Sequence, residues 1–149
     1  MRAVVQRVLK ASVTVEGSRV GEIGRGLLVL VGFTEGDARE EMEWMAGKLQ
    51  GLRVFSDAEG LMNLDITEVG GELLVVSQFT LYGDVSRGRR PSFVAACSAE
   101  RAAPLIERVA ERARELGAPV VCGRFQADME VTLVNSGPVT ILLDTRKQF

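Results

Sequence analysis

The chain has 149 residues, of which 46% are hydrophobic and 26% charged, and its formal net charge is −2. That length and apolar content set a single domain, 1–149, with a real core, and argue against disorder. A net charge near zero excludes a global basic field for nucleic acid, so any RNA contact has to be local.

There is no histidine. This removes the Ser-His and Cys-His nucleophile designs and the imidazole ligands of common zinc sites. An enzyme built from this sequence has to work with backbone groups, hydroxyls, amides or groups of its own substrate, with no metal and no cofactor. Cys97 and Cys122 lie far apart and form no CxxC pair, so they read as buried thiols of a cytosolic protein. No run reaches the ~18 apolar residues a membrane span needs. The first residues hold one Arg and no long apolar stretch, so no secretory signal is expected. Fifteen of the 18 basic residues are Arg, a composition that suits phosphate forks and that codon bias explains equally well.

Met1–Glu16 alternates as a strand does, with Val4, Gln6 and Val8 on one face and Val5, Arg7 and Leu9 on the other. Arg7 thus shares a face with apolar neighbours. It reads as an edge or snorkelling arginine, or as one fixed beneath a site. Residues Glu16–Arg19 form a turn, Val20–Ile23 a return strand, and Gly24–Gly26 a second turn. Leu27–Phe33 is continuously apolar, as a strand buried on both faces would be. Asp37 with Glu40 has capping-box spacing, and Met42, Met45, Leu49 and Leu52 recur as one helical face, which predicts a helix over 38–50. Met42, Trp44 and Met45 read as core or interface material. Arg53–Phe55 is a short strand, and Leu61–Leu64 a segment that re-enters the sheet. Asp57, Glu59 and Asp65 fit no calcium loop and read as solvated carboxylates.

After the Gly70-Gly71 turn, the apolar strand Glu72–Val76 ends in Ser77, Gln78 and Thr80. Polar groups at a strand end are where scaffolds hold reactive chemistry. The basic loop Ser86–Pro91 that follows Tyr82-Gly83-Asp84 is the best local candidate for a phosphate contact, and reads equally as a solvated surface loop. Ser98 is an N-cap candidate for a second helix, with Leu105, Ile106, Val109, Ala113 and Leu116 as its apolar stripe. Pro104 marks its first turn or a kink, and Gly117 and Pro119 stop it. Val120–Phe125, Met129–Val134 and Val139–Leu143 read as strands, and Asp144–Phe149 as a polar tail of no clear role. Six to nine strands in hairpins plus two amphipathic helices make an α+β fold. Its sheet is mainly antiparallel or mixed, or a partly closed barrel.

The hexapeptide Asn135-Ser136-Gly137-Pro138-Val139-Thr140 stands between two apolar runs. Gly-Pro ordinarily signals a turn. It also offers bare backbone carbonyls, because Gly137 brings no side chain and Pro138 neither an N–H nor a free φ. X-Pro bonds are moreover where cis peptides occur.

Together with Ser77-Gln78-Phe79-Thr80, this hexapeptide resembles the D-aminoacyl-tRNA deacylase family. The likeness runs through Val4-Val5-Gln6-Arg7-Val8, Val54-Phe55-Ser56-Asp57, Met62-Asn63-Leu64, Arg90-Pro91-Ser92-Phe93 and Gly123–Met129. One departure is Ser136, where Asp is frequent in the family. The resemblance implies a cytoplasmic homodimer that proofreads aminoacyl-tRNA, cleaving the ester of D-aminoacyl-tRNA, and of mischarged glycyl-tRNA, at the 3′-terminal adenosine. It implies that Gly137 and Pro138, joined by a cis bond, cross into the partner's active site and exclude L side chains. Ser77, Gln78, Phe79 and Thr80 would form the catalytic segment, with backbone N–H groups at Phe79 and Thr80 as the oxyanion site. Thr80 could be the nucleophile, but it has no base beside it in sequence, so attack by a water assisted by the substrate's ribose 2′-OH is preferred, with Gln78 and Thr80 as positioning groups. Arg7 would hold the crossing loop, Phe125 and Met129 would line the adenine pocket, and Asn135 would support the motif. The alternatives from other classes are a non-catalytic dimeric protein binding RNA or nucleotide ends, and a small metabolic hydrolase.

Overall fold

Strand β1, Arg2–Val15, carries most of the architecture because three other strands register on it. It is followed by β2 (Ser18–Ile23), β3 (Gly26–Gly32), α1 (Arg39–Gly51), β4 (Phe55–Ser56) and β5 (Met62–Leu64). Then come β6 (Glu72–Ser77), a 3-10 turn (Phe79–Tyr82), α2 (Ala99–Glu115), β7 (Val120–Cys122) and β8 (Glu130–Asp144). The computed structural model describes all residues from Met1 to Phe149. The main sheet runs β2-β1-β3-β6-β7, and β8 lies along the other side of β1. β1 pairs antiparallel with β2, β3 and β8, whereas β3–β6 and β6–β7 are parallel. The sheet is therefore mixed and nearly closed into a barrel, and with the two helices the fold is α+β.

β3 and the Leu73–Val76 stretch of β6 are apolar throughout for a reason visible in the core. Leu27, Val29 and Val31 of β3, with Leu73 and Val75 of β6, face the helices and pack with Met45, Leu49, Ile106, Val109 and Ala113. The alternate residues Leu28, Leu74 and Val76 face the barrel interior with Val8, Ala11, Val13, Val15 and Ile23. Each strand supplies two cores, so neither face tolerates polarity.

Several expectations need correction. The apolar runs at 131–134 and 139–143 are not two strands joined by a turn. They are one strand, β8, in which the pairing with β1 slips between Gln6↔Thr140 and Val8↔Asn135. Residues 136–139 thus bulge out opposite Arg7, and the Gly137-Pro138 peptide is cis. Val120–Phe125 shortens to three residues in β7. β5 pairs only with β4, in a separate two-stranded sheet. Pro104 lies inside α2, beyond its first turn. Trp44 points outward, 37% exposed, with the Lys48 ammonium 5.6 Å from its ring.

Asp37 does not cap α1. Ala38 occupies that position, and its N–H donates to the Glu41 carboxylate at 2.9 Å. That bond holds the Glu41 carboxyl below its ordinary pKa. Asp37 is instead fully buried and accepts from the Met1 ammonium at 2.8 Å and from the Thr34 N–H at 2.9 Å. The Met1 ammonium also donates to Thr145 Oγ1 at 2.7 Å, and Arg146 lies 3.7 Å from Asp37. The terminal segment therefore has a structural role that its polar composition does not announce.

Candidate active site

A cavity of about 530 Å³ opens where β6 ends. Ser77, Gln78 and Phe79 form one wall, and Phe125 and Met129 another. Five of the candidate residues thus meet around one space. The strand end is held open by Gly32 on neighbouring β3: a Cβ there would sit 2.8 Å from the Gln78 carbonyl and 3.2 Å from Leu81. Any side chain at 32 would push the 77–80 segment out of place.

The Gln78 N–H donates to the Val31 carbonyl, which fixes the entry to the 3-10 turn. The N–H groups of Phe79 and Thr80 then take no acceptor within the chain. Two adjacent amides are thereby left pointing out of the first turn, as helix starts leave them. Gln78 Nε2 donates to Thr80 Oγ1. Thr80 lies at the edge of the cavity rather than on its wall, and no carboxylate or amine bonds its hydroxyl. Phe79 is 56% exposed and meets Phe93 edge to face at 5.1 Å.

Part of the wall carried no chemical signal in the sequence. Phe93, Ala96, Cys97, Ala99 and Ala102 close the side facing α2. Alanines make room rather than chemistry, so nothing in their type marks them. Asp128 is the one charged residue on the wall. Cys97 is 8% exposed, and burial, with Glu35 and Asp37 adding to it, pushes its thiol up from the ordinary range. A thiol held up in this way carries little thiolate near neutrality. Iodoacetamide at pH 8 is expected to label Cys97 far more slowly in the native chain than in the unfolded one, read by mass spectrometry. Equal rates would contradict the buried placement. No grouping of three or more His, Cys, Asp or Glu residues occurs that could hold a metal ion.

The remaining candidates assemble elsewhere. Arg7 Nε donates to the Ser136 carbonyl at 3.3 Å, and Nη1 to the Val54 carbonyl at 2.5 Å. Asn135 Nδ2 donates to the carbonyls of Arg7 and Val139, both at 3.0 Å. These bonds clamp both ends of the bulge to β1. Gly137 and Pro138 themselves are exposed, and Gly137 has φ +118°. Neither lines the cavity formed by residues 77–79 of the same chain. The sequence motifs thus resolve into two separate constellations, one concave and one protruding.

The match to known proteins covers both. The family model for D-Tyr-tRNA(Tyr) deacylase matches residues 4–144. This chain belongs to that family. A protein of Symbiobacterium thermophilum named D-aminoacyl-tRNA deacylase is 57% identical, over 100% of this chain and 99% of its own. One of Desulfitobacterium hafniense with the same name is 54% identical over the whole of both chains. A solved structure described as c-Myc DNA Unwinding Element Binding Protein superposes with a TM-score of 0.92 at 41% identity, covering 97% of this chain and 99% of that one. No helix is long and apolar enough to cross a membrane.

Proposed function

We propose that this protein hydrolyses the ester between a D-amino acid, or glycine, and the 3′-terminal adenosine of tRNA, acting as a homodimer. The observation that carries the reading is the separation of the two constellations. The exposed Gly137-Pro138 segment is clamped at both ends, yet it faces none of its own chain's cavity. It has a use if it enters the cavity of a second copy. The side of β8 away from β1 has no strand partner, and Leu9, Val134 and Leu142 are exposed on these two strands. Long unpaired edges with exposed apolar residues are ordinarily covered.

In that assembly the Gly137-Pro138 carbonyls face the substrate's α-carbon and leave no room for an L side chain. Steric exclusion by clamped backbone rejects strongly, whereas one missing methylene is worth only about 1–3 kcal/mol. Glycine has nothing to clash and passes. Phe125 and Met129 flank the adenine, and the Phe79 and Thr80 N–H groups stabilise the oxyanion of the tetrahedral intermediate. Water attacks the ester with the ribose 2′-OH assisting, and Gln78 and Thr80 position it. Thr80 has no base to activate it, so it is not the nucleophile.

The test is deacylation of matched D- and L-aminoacyl-tRNA by the purified protein in EDTA. Loss of the D ester with the L ester spared is the expected result. Metal dependence would favour a small metabolic hydrolase. Tight binding of the tRNA end without turnover would favour a binding protein, the reading that the DNA-binding name of the 41% identical protein also fits. The mechanism makes a further prediction. Thr80→Ala is expected to keep kcat within about tenfold of wild type. A substrate ending in 2′-deoxyadenosine should lose roughly 10²–10⁴-fold, the usual worth of proton transfer in the transition state. A Thr80→Ala enzyme as dead as the deoxy substrate would restore threonine as nucleophile.

A further inference from the structure

The chain's 15 arginines fall into two groups. Eleven have a partner within the chain: a carboxylate, an amide or backbone carbonyl, or, for Arg25, the Phe55 ring. The other four, Arg87, Arg89, Arg90 and Arg124, have none and are all exposed. These four are not scattered. Arg87, Arg89 and Arg90 lie on the loop that runs into Phe93, and Arg124 immediately precedes Phe125, and both phenylalanines are walls of the cavity.

The loop is anchored, so its charge is presented at a defined place. Asp84 and Ser92 exchange backbone bonds of 2.8 and 2.9 Å across its base. The Ser86 N–H donates to Asp84 Oδ1 at 2.8 Å. Below it, Gly83 lies so close to Phe93 that a Cβ at 83 would be 2.9 Å from the ring. On a chain of net charge −2, three unpaired guanidinium groups on one anchored loop are a local exception. Guanidinium forks match phosphate oxygens, and unpaired ones are free to do so without first breaking an ion pair.

We infer that Arg87, Arg89, Arg90 and Arg124 form a rim that binds the backbone phosphates of the RNA leading into the cavity. This rests on the function proposed above: with the terminal adenosine between Phe125 and Met129, the preceding phosphates have to leave across this rim. The contacts are to backbone only, so they add affinity for any tRNA without reading sequence.

The experiment replaces all four residues with serine, with Arg39→Ser, on the far helix α1, as the control. Two quantities are read. The first is the salt dependence of binding to uncharged tRNA. Its log–log slope should flatten by roughly 2.8 to 3.6 in the fourfold variant, at ~0.7–0.9 per lost phosphate contact. The second is the ratio of kcat/KM for D-aminoacyl-tRNA to that for D-aminoacyl-adenosine, which has no phosphate. That ratio should fall at least tenfold, and Arg39→Ser should leave it alone. An unchanged slope, or an equal fall on both substrates, would overturn the rim while leaving the deacylase reading intact. If the wild type cleaved neither ester, that reading would fail, and the binding slope would still decide the rim.

Discussion

Gly137→Ala is expected to lower deacylation of the D ester by about 10²-fold while the protein stays folded. A Cβ at this position would lie 2.8 Å from Arg7 Nη2 and 2.9 Å from Val139 Cγ2. Arginine tips usually swing away at little cost, but this one is pinned through Nε to Ser136 and through Nη1 to Val54. Val139 is β-branched and stiff at χ1. The backbone of the bulge has to move, and φ +118° is in any case a conformation L residues rarely adopt. Left-handed backbone costs an L residue roughly 1–2 kcal/mol, well within what a domain of this size survives. A positional error near 1 Å in a substrate-facing group can cost 10²-fold in rate. The D-to-L discrimination should fall with it, by at least tenfold. Wild-type kcat/KM and wild-type discrimination in Gly137→Ala would remove the bulge from the substrate's surroundings.

Asp37→Ala is expected to be the most destabilising single change outside the apolar core. It leaves the fully buried Met1 ammonium with Thr145 Oγ1 as its remaining bonded partner and strips the Thr34 N–H of its acceptor. Breaking a buried pair by removing one partner costs about 3–5 kcal/mol, because the other charge stays behind without compensation. For a chain of 149 residues this corresponds to a fall in Tm of roughly 6–20 °C, at about 2–4 °C per kcal/mol. Asp37→Asn keeps an acceptor and removes only the charge, so its Tm should fall between the two. A Tm within about 2 °C of wild type for the alanine variant would mean the ammonium finds water instead. Activity of the folded fraction should be unaffected, since Asp37 does not line the cavity.

What the sequence made legible was whatever is local. The unbroken apolar run at 27–33 marked a strand buried on both faces, Glu72–Val76 a buried strand, and the polar residues that end it drew attention to a segment of which Ser77, Gln78 and Phe79 line the cavity. The residues of the Gly-Pro stretch left a turn and a rigid carbonyl-bearing element both open, because its place in the bulge is set by pairing with β1, some 130 residues away. Asp37 has cap chemistry and cap spacing, but a buried ammonium competes for it, and that competitor is Met1, 36 residues upstream and outside any helical window. The alanines of the cavity wall were invisible because they act by being small. Arg7 was ambiguous for the same reason as Gly-Pro: both its partners, Val54 and Ser136, are distant in sequence.

The pairing of β1 with β8 also bears on how the molecule comes into being. β1 needs β8, which is made much later, with register running from Arg2↔Asp144 to Thr14↔Glu130. Loop-closure entropy has to be met before such distant contacts give anything back, which places mixed sheets of this kind among the slower folders. During synthesis β1 can zip onto β2 and β3 at once. Its other edge waits, bare and rich in valine, until nearly the whole chain has left the ribosome. The element that organises the finished fold is thus also the one exposed longest to wrong partners, and that is where a folding helper would have to act.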